Sequence, residues 1–206
     1  MLKLFLSLGA FLSLAGSAQA QNIRYGLKAG VSLARQTDLD ITGARNKVGA
    51  TAGLMADAAL SEKFSLHPEL LFSQKGQRFE GSGPGGYSYS YQFRSNYLDL
   101  PVLLRLKLNS FFVEAGPQVG YLLSAKGTET RSSSTLPTPV SNTYDTTEGL
   151  RRFDVGFVVG VGYQLRERWE LSARYNVGIL GTSTYNTTQR RNSVFQFQAG
   201  YLFGGS

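Results

Sequence analysis

The chain has 206 residues with no Cys, one His, one Trp, 24 Gly, 13 Phe and 11 Tyr, and its 21 Lys and Arg outnumber 14 Asp and Glu to give a formal charge of +7. That length suits one domain. The missing thiols exclude a disulfide scaffold, a zinc–thiolate site, a Cys nucleophile and a lipidated N-terminal Cys; the single His excludes a His-rich metal centre, and an apolar share of 42% argues against disorder.

Residues 1–20, MLKLFLSLGAFLSLAGSAQA, combine a basic start at Lys3, an apolar run from Leu4 to Ala15 and a small-x-small site at Ala18-Gln19-Ala20. This is the pattern of a secretory signal peptide, removed to leave a single mature domain over 21–206. The run is shorter than the roughly 20 apolar residues a spanning helix needs, and no run of that length follows. The exported chain is therefore either soluble beyond the inner membrane or crosses a membrane with strands.

From Ile23 onward the chain alternates. In 23–34, Ile23, Tyr25, Leu27, Val31 and Leu33 oppose Arg24, Gly26, Lys28, Gly30 and Ser32. In 48–60, Val48, Leu54 and four alanines oppose Gly49, Thr51, Gly53 and Asp57, and in 64–77 Phe64, Leu66, Leu70 and Phe72 oppose His67, Glu69, Ser73 and Lys75. Leu98 to Leu106 oppose Tyr97, Asp99, Arg105 and Lys107 in 96–108; Phe111, Val113, Val119, Tyr121 and Leu123 oppose Glu114, Gly116, Gln118, Gly120 and Lys126 in 111–126. In 152–165, Phe153, Val155, Phe157 and Tyr163 oppose Asp154, Gly156, Gly160 and Gly162. Trp169, Leu171, Tyr175 and Val177 oppose Glu170, Ser172 and Arg174 in 168–180, and Phe195, Phe197, Tyr201 and Phe203 oppose Gln196, Gln198 and Gly200 in 193–203. Period two predicts eight strands, each with two chemically opposite faces, and no segment reads as an amphipathic helix.

Tight turns at 61–63, 109–110 and 166–168 alternate strictly with long polar connections at 36–46, 79–93, 127–150 and 182–192. In an up-and-down arrangement all the short turns then lie at one end. The expected fold is all-β: an eight-stranded antiparallel up-and-down transmembrane β-barrel with short periplasmic turns and long outer loops.

Residue size sets the orientation. The polar parity is dense in Gly, which weakens an exposed strand face. The interior of an eight-stranded barrel, just wide enough to be filled by side chains, does favour Gly beside Arg and Glu. The expected interior is a charge-paired network of Arg24, Lys28, Asp57, His67, Glu69, Lys75, Asp99, Arg105, Glu114, Asp154, Glu170 and Arg174, together with Lys107 and Lys126, since an unpaired buried charge is costly. The bulky parity faces lipid, with Tyr25, Tyr121, Tyr163, Trp169, Tyr175 and Tyr201 as membrane-interface aromatics. A soluble lipocalin-like barrel with the apolar parity inside is the competing arrangement.

The segments Asn96–Leu108 (NYLDLPVLLRLKL) and Phe112–Lys126 (FVEAGPQVGYLLSAK), with Gly26–Ser32 (GLKAGVS) and Leu66–Gly76 (LHPELLFSQKG), resemble the PorT-family outer-membrane β-barrel domain of Bacteroidetes. The resemblance implies an eight-stranded OmpA-like barrel in the cell outer membrane. Most members of the family have no assigned activity, and the name-giving one is implicated in type IX protein secretion. Such barrels often end on an aromatic residue, whereas here Phe203 is followed by Gly204-Gly205-Ser206.

Chemical motifs are thin. Gly81-Ser-Gly-Pro-Gly-Gly86 satisfies G-x-G-x-x-G but precedes Tyr87–Phe93, which alternates like a strand, so it reads as a hairpin tip rather than a dinucleotide site. His67, beside Glu69 and with Asp57 or Asp99 across the barrel, reads as a lumen hydrogen-bonding group, because no known motif ties a Ser or carboxylate to it. Asp38, Asp40 and Asp145 are too few for a hard-cation cage. The cations show no helix motif or stacking stripe for nucleic acid. Instead Arg35, Arg45, Lys47, Arg151, Arg152, Arg190 and Arg191 read as rim cations facing lipopolysaccharide headgroups. The expectation is a monomeric, non-enzymatic outer-membrane barrel with no cofactor and no metal, acting structurally or through its outer loops. Its partners are outer-membrane lipid, lipopolysaccharide and other envelope or secretion proteins. A small-solute porin, a membrane-embedded enzyme and a PorT-like secretion accessory are the alternatives.

Overall fold

The computed structural model describes residues 23–37, 44–83, 86–133, 138–166, 168–181 and 191–203, with backbone only at 35–37 and 44–46. The expected leader, Asp38, Asp40, Arg190 and the residues after Phe203 lie outside the described residues, as do the side chains of Arg35 and Arg45.

Nine strands follow one another: β1 (Ile23–Thr37), β2 (Ala44–Ala59), β3 (Phe64–Gly83), β4 (Tyr87–Leu108), β5 (Phe111–Ser132), β6 (Val140–Asp145), β7 (Phe153–Leu165), β8 (Trp169–Gly178) and β9 (Arg191–Phe203). Eight of them close a ring in the order β1-β2-β3-β4-β5-β7-β8-β9, and β9 pairs back onto β1 from Tyr25↔Phe203 to Thr37↔Arg191. All pairings are antiparallel and the ring closes on itself, so each strand of the wall has a neighbour on both sides and the ring has no edge to expose to lipid. The turn at Asn109-Ser110 is tight because Asn109 takes a positive φ of 57°, which Asn tolerates better than most residues. It lies at the same end as the β2–β3 and β7–β8 turns and as the first and last strand ends.

The eight-stranded up-and-down barrel is thus the observed architecture, and its polarity is inverted relative to a soluble protein. Phe111 is 64% exposed and Trp169 53%, whereas Arg105 is 1% exposed and Glu170 is fully buried. The wall presents a continuous apolar surface that water would not support. Glycines of the inner parity make the packing possible. A Cβ at Gly160 would meet Arg174 Cγ at 2.8 Å, and one at Gly200 would meet Glu170 Cγ at 2.8 Å.

Two long connections were expected where the chain in fact continues as strand. β3 runs to Gly83 and β4 begins at Tyr87, and the two stay paired out to Gly83↔Tyr87, so most of 79–93 is strand. Within 127–150, β5 continues to Ser132, β6 pairs with it from Lys126↔Asp145 to Arg131↔Val140, and a turn of 3₁₀ helix covers Thr147–Gly149. β7 leaves β5 at Tyr121↔Phe153, and β6 takes up the vacated edge. The outer ends of β3, β4, β5 and β6 therefore form a four-stranded tongue standing beyond the ring. Tyr87–Phe93 alternates as a strand does, but over 127–145 the Ser- and Thr-rich sequence puts polar residues on both faces and leaves no hydrophobic period to read.

One inner-face assignment is corrected. Asn96 pairs with Ser124 but Tyr97 pairs with Leu122, so Leu123 is an extra residue, a β-bulge that reverses the parity of β5 beyond it. Lys126 is consequently exposed rather than part of the lumen, and Ala125 joins Tyr97 and Leu122 in a small buried cluster capped by Leu150.

The inverted polarity gives a direct test. Val159→Arg, on the outer face of β7, should destabilise the barrel by about 2–4 kcal/mol in urea unfolding from lipid vesicles, as an arginine does near the midplane of a transmembrane barrel; a neutral or stabilising outcome would contradict a lipid-facing wall.

Candidate functional site

The inner parity of eight strands converges on the bore. Near the short-turn end, Asp57 (β2) receives Arg24 (β1) at 2.8 Å and Lys107 (β4) at 2.9 Å. Above it, Glu69 (β3) is gripped by the Arg174 (β8) guanidinium through two bonds of 2.6 and 2.7 Å. Arg174 also donates its Nε to Glu114 (β5). Lys28 (β1) bridges Glu69 at 2.6 Å and Glu170 (β8) at 2.8 Å. Arg105 (β4) donates to Glu114 at 2.9 Å and to Glu170 at 2.8 Å while its guanidinium lies 3.8 Å from the Phe112 ring centroid. Nearer the loop end, Lys75 (β3) bonds Asp99 (β4) at 3.0 Å and Asp154 (β7) at 3.1 Å, with its ammonium 4.5 Å from the Tyr97 ring centroid. Asn192 (β9) completes this group by donating to Asp154 at 2.9 Å.

All twelve residues expected in the network lie on the inner face, in three groups along the bore. Apart from His67, neither of whose ring nitrogens has a hydrogen-bond partner, their geometry is that of charge-assisted bonds, which are strong only when both partners stay dehydrated and paired. β3 and β8 are diametrically opposite in the ring order, so the Arg174–Glu69 fork spans the bore. Phe112, Asn192 and Tyr97 act in the interior without having been singled out as sites. The doublet Phe111-Phe112 hides which ring turns inward until the parity of the whole strand is counted, and Asn192 follows a long loop with no periodic signal.

His67 is fully buried, its Nε2 3.0 Å from Glu69 Oε1 and its Nδ1 3.7 Å from Asp57 Oδ1. Asp99, the other partner weighed from sequence, is bonded to Lys75 instead. Both carboxylates beside His67 are held by cations, Asp57 by Arg24 and Lys107 and Glu69 by Arg174 and Lys28. His67, Glu69 and Glu170 place ligand-type atoms within 4.8 Å of one another. The Lys28 ammonium lies between the two carboxylates, however, and supplies there the positive charge a metal would bring.

The six interface aromatics all lie on the outer wall. Trp169 and Tyr201 meet edge to face at 4.9 Å, and Tyr163 meets Phe111 at 4.8 Å, both near the short turns with Tyr25. Tyr121 with Phe153 at 5.4 Å and Tyr175 with Phe195 at 4.4 Å lie toward the loops. Among the rim cations, Arg151 and Arg152 are exposed beside β7 and Arg191 opens β9. Lys47 differs from expectation: it is buried rather than on a solvated rim.

On the tongue, Phe79, Tyr87, Tyr89, Tyr91 and Phe93 share the parity of Tyr97, while Ser88–Ser132, Thr128–Thr143 and Thr130–Ser141 form cross-strand hydroxyl pairs on the other face. Asp145, far from holding a cation, accepts the Thr147 amide at 2.7 Å. The hydrogen bonds from Thr147 hold its carboxyl below the usual aspartate range.

This chain belongs to the outer membrane protein beta-barrel domain family, whose model matches residues 18–185. That membership places it among barrels of the outer membrane. No curated protein matches it significantly. Among solved structures it is similar to the attachment invasion locus protein Ail of Yersinia pestis in complex with the heparin analogue sucrose octasulfate, at 14% identity and a TM-score of 0.43, covering 88% of this chain and 99% of that one. It is also similar to Neisserial surface protein A, at 11% identity and a TM-score of 0.42 over 89% of this chain and 99% of that one. The outer membrane protease OmpT of Escherichia coli is similar at 8% identity and a TM-score of 0.42, covering 91% of this chain and 99% of that one.

Glu69→Gln removes the charge that holds both Arg174 and Lys28 and should cost about 3–5 kcal/mol in urea unfolding, as breaking one partner of a buried pair does. The exposed control Arg131→Gln on the tongue should shift stability by no more than about 0.5 kcal/mol. At the tongue, the bond to Thr147 favours ionised Asp145, so its contribution is complete above the ordinary aspartate pKa and is lost as pH falls through the lowered one. Amide-exchange protection at Thr147 should follow that profile, and Asp145→Asn should flatten it.

Proposed function

We propose that the protein is a non-conducting, non-enzymatic outer-membrane barrel whose rigid ring carries an interaction surface, the four-stranded tongue, beyond the membrane. The observation that carries this reading is the Arg174–Glu69 fork across the bore. With Lys28, Arg105, Glu114 and Glu170 packed around it and all six side chains at most 3% exposed, the section is filled by paired ions rather than by water. A pore needs mobile, hydrated charges. These are fixed by partners on several strands, and His67 is shut in among them.

In this reading the leader over 1–20 is removed on export and 21–206 works as one monomeric domain. The outer-wall aromatics anchor it at the two interfaces, and the exposed cations Arg151 and Arg152 meet the anionic lipopolysaccharide layer. An accessory role in protein secretion, implied by the resemblance over Asn96–Lys126, is a finer form of the same reading, with the tongue as the contact surface.

Planar-bilayer recording tests the sealed bore. Purified protein should give no steady openings at neutral pH, whereas Glu69→Gln, if it inserts, should give flickering conductance. Large stable openings of the unaltered protein would replace this reading with that of a small-solute porin.

A further inference from the structure

Lys47 is 6% exposed, and its Nζ has no hydrogen-bond partner. Every other buried Lys or Arg among the described residues has a carboxylate at hydrogen-bond distance: Lys28 at 2.6 Å, Lys75 at 3.0 Å, Arg105 at 2.8 Å and Arg174 at 2.6 Å. The charges that act on Lys47 are instead those of Arg94 and Arg78, both of its own sign. Its stem runs against Gly76, where an added Cβ would stand 3.2 Å from Lys47 Cδ. Gly76 takes a φ of 151°, in the range that favours glycine. In register, Gly76 faces Arg94, and Arg78 follows two residues along β3. Arg78 is partly engaged, by Glu80 at 2.7 Å and by Ser90, to which its Nε donates at 3.3 Å, while Arg94 has no carboxylate partner among the described residues.

A dehydrated ammonium surrounded by like charge is strongly disfavoured. A fold that gives every other buried cation among the described residues a carboxylate, but leaves this one unpaired at the base of the tongue, is shaped for a counter-ion from outside. Three neighbouring cations, two of them guanidinium groups, suit an anion with several acceptor oxygens and more than one negative charge. We propose that Lys47, Arg94 and Arg78 form a binding site for a phosphate-type oxyanion at the outer mouth of the barrel, supplied either by a lipid-linked phosphate of the outer leaflet or by a soluble phosphate. This deepens the proposed contact with an anionic headgroup layer and is independent of whether the bore conducts.

The test is thermal unfolding of the full chain, followed by the gel shift between folded and heated barrel. One arm adds inorganic phosphate against chloride at matched ionic strength to protein in neutral detergent. The other compares phosphatidylcholine vesicles with and without lipid A. The unaltered protein should be stabilised in at least one arm. Stabilisation by inorganic phosphate identifies a soluble anion, and stabilisation by lipid A alone identifies a headgroup. Lys47→Met should be the more stable protein when no phosphate is present, and should lose the response, with apparent affinity weakened by about tenfold or more. Arg94→Gln, an exposed change that leaves the interior pairs intact, should weaken the response and stabilise the unliganded barrel less than Lys47→Met does, since it removes one of the like charges acting on Lys47 but leaves its ammonium buried. The site is overturned if neither arm stabilises the unaltered protein, or if Lys47→Met responds as fully as it does. Neither result bears on the bilayer recordings, so the two readings fail separately.

Discussion

The fork from Arg174 to Glu69 joins strands on opposite sides of the ring, and the rest of the architecture accommodates it. A guanidinium and a carboxylate inside a membrane are tolerable only if each keeps its full set of bonds. Glu114, Glu170, Lys28 and Arg105 therefore gather around the pair, each from a different place in the wall. The side chains are long, so the backbone near them must be bare. That explains Gly160 and Gly200, which stand beside Arg174 and Glu170. With the polar parity committed to the interior, the other parity is left to meet lipid, and its bulk follows from that.

Two regimes of pairing coexist along the same strands. Inside the ring, register is fixed because a slip of one residue would turn phenylalanines inward and arginines outward. On the tongue this penalty is weak, since Ser, Thr and Tyr tolerate either environment. There register rests on cross-strand hydroxyl pairs, on Tyr91 donating to Glu129 at 2.9 Å, and on the Asp145 bond that secures the end of β6. The Leu123 bulge marks the passage from one regime to the other. Below it β5 belongs to the barrel, and above it to the tongue.

The ring was legible from alternation because lipid and a packed ionic interior impose opposite demands on adjacent residues. Glu170 and Arg174 could be assigned inward by counting alone. In the tongue only Tyr87–Phe93 was legible as a strand; the outer end of β5 and β6 were not, because strands with polar residues on both faces have no reason to alternate. Lys126 was misplaced because one inserted residue is invisible to periodicity. The pairing within the network was beyond sequence altogether: six cations and six anions at inner positions allow many matchings. The choice of Arg174 for Glu69, and of Lys75 for Asp99 and Asp154, depends on height along the bore. Nothing in the residue pattern distinguished Lys47 from its basic neighbours either. Its isolation appears only when every other interior cation is seen to have a carboxylate.

The seam between β1 and β9 closes the wall with pairs such as Lys28↔Gly200, nearly the whole chain apart in sequence. Contacts of that separation form late, because loop closure must come first. Until the last strand docks, the Lys28 ammonium and its carboxylates cannot be sealed from water, and an ionic centre this dense would resist entering hydrocarbon piecemeal. Maturation of the interior and completion of the cylinder are thus a single event, and a chain cut short before Phe203 would forfeit both together.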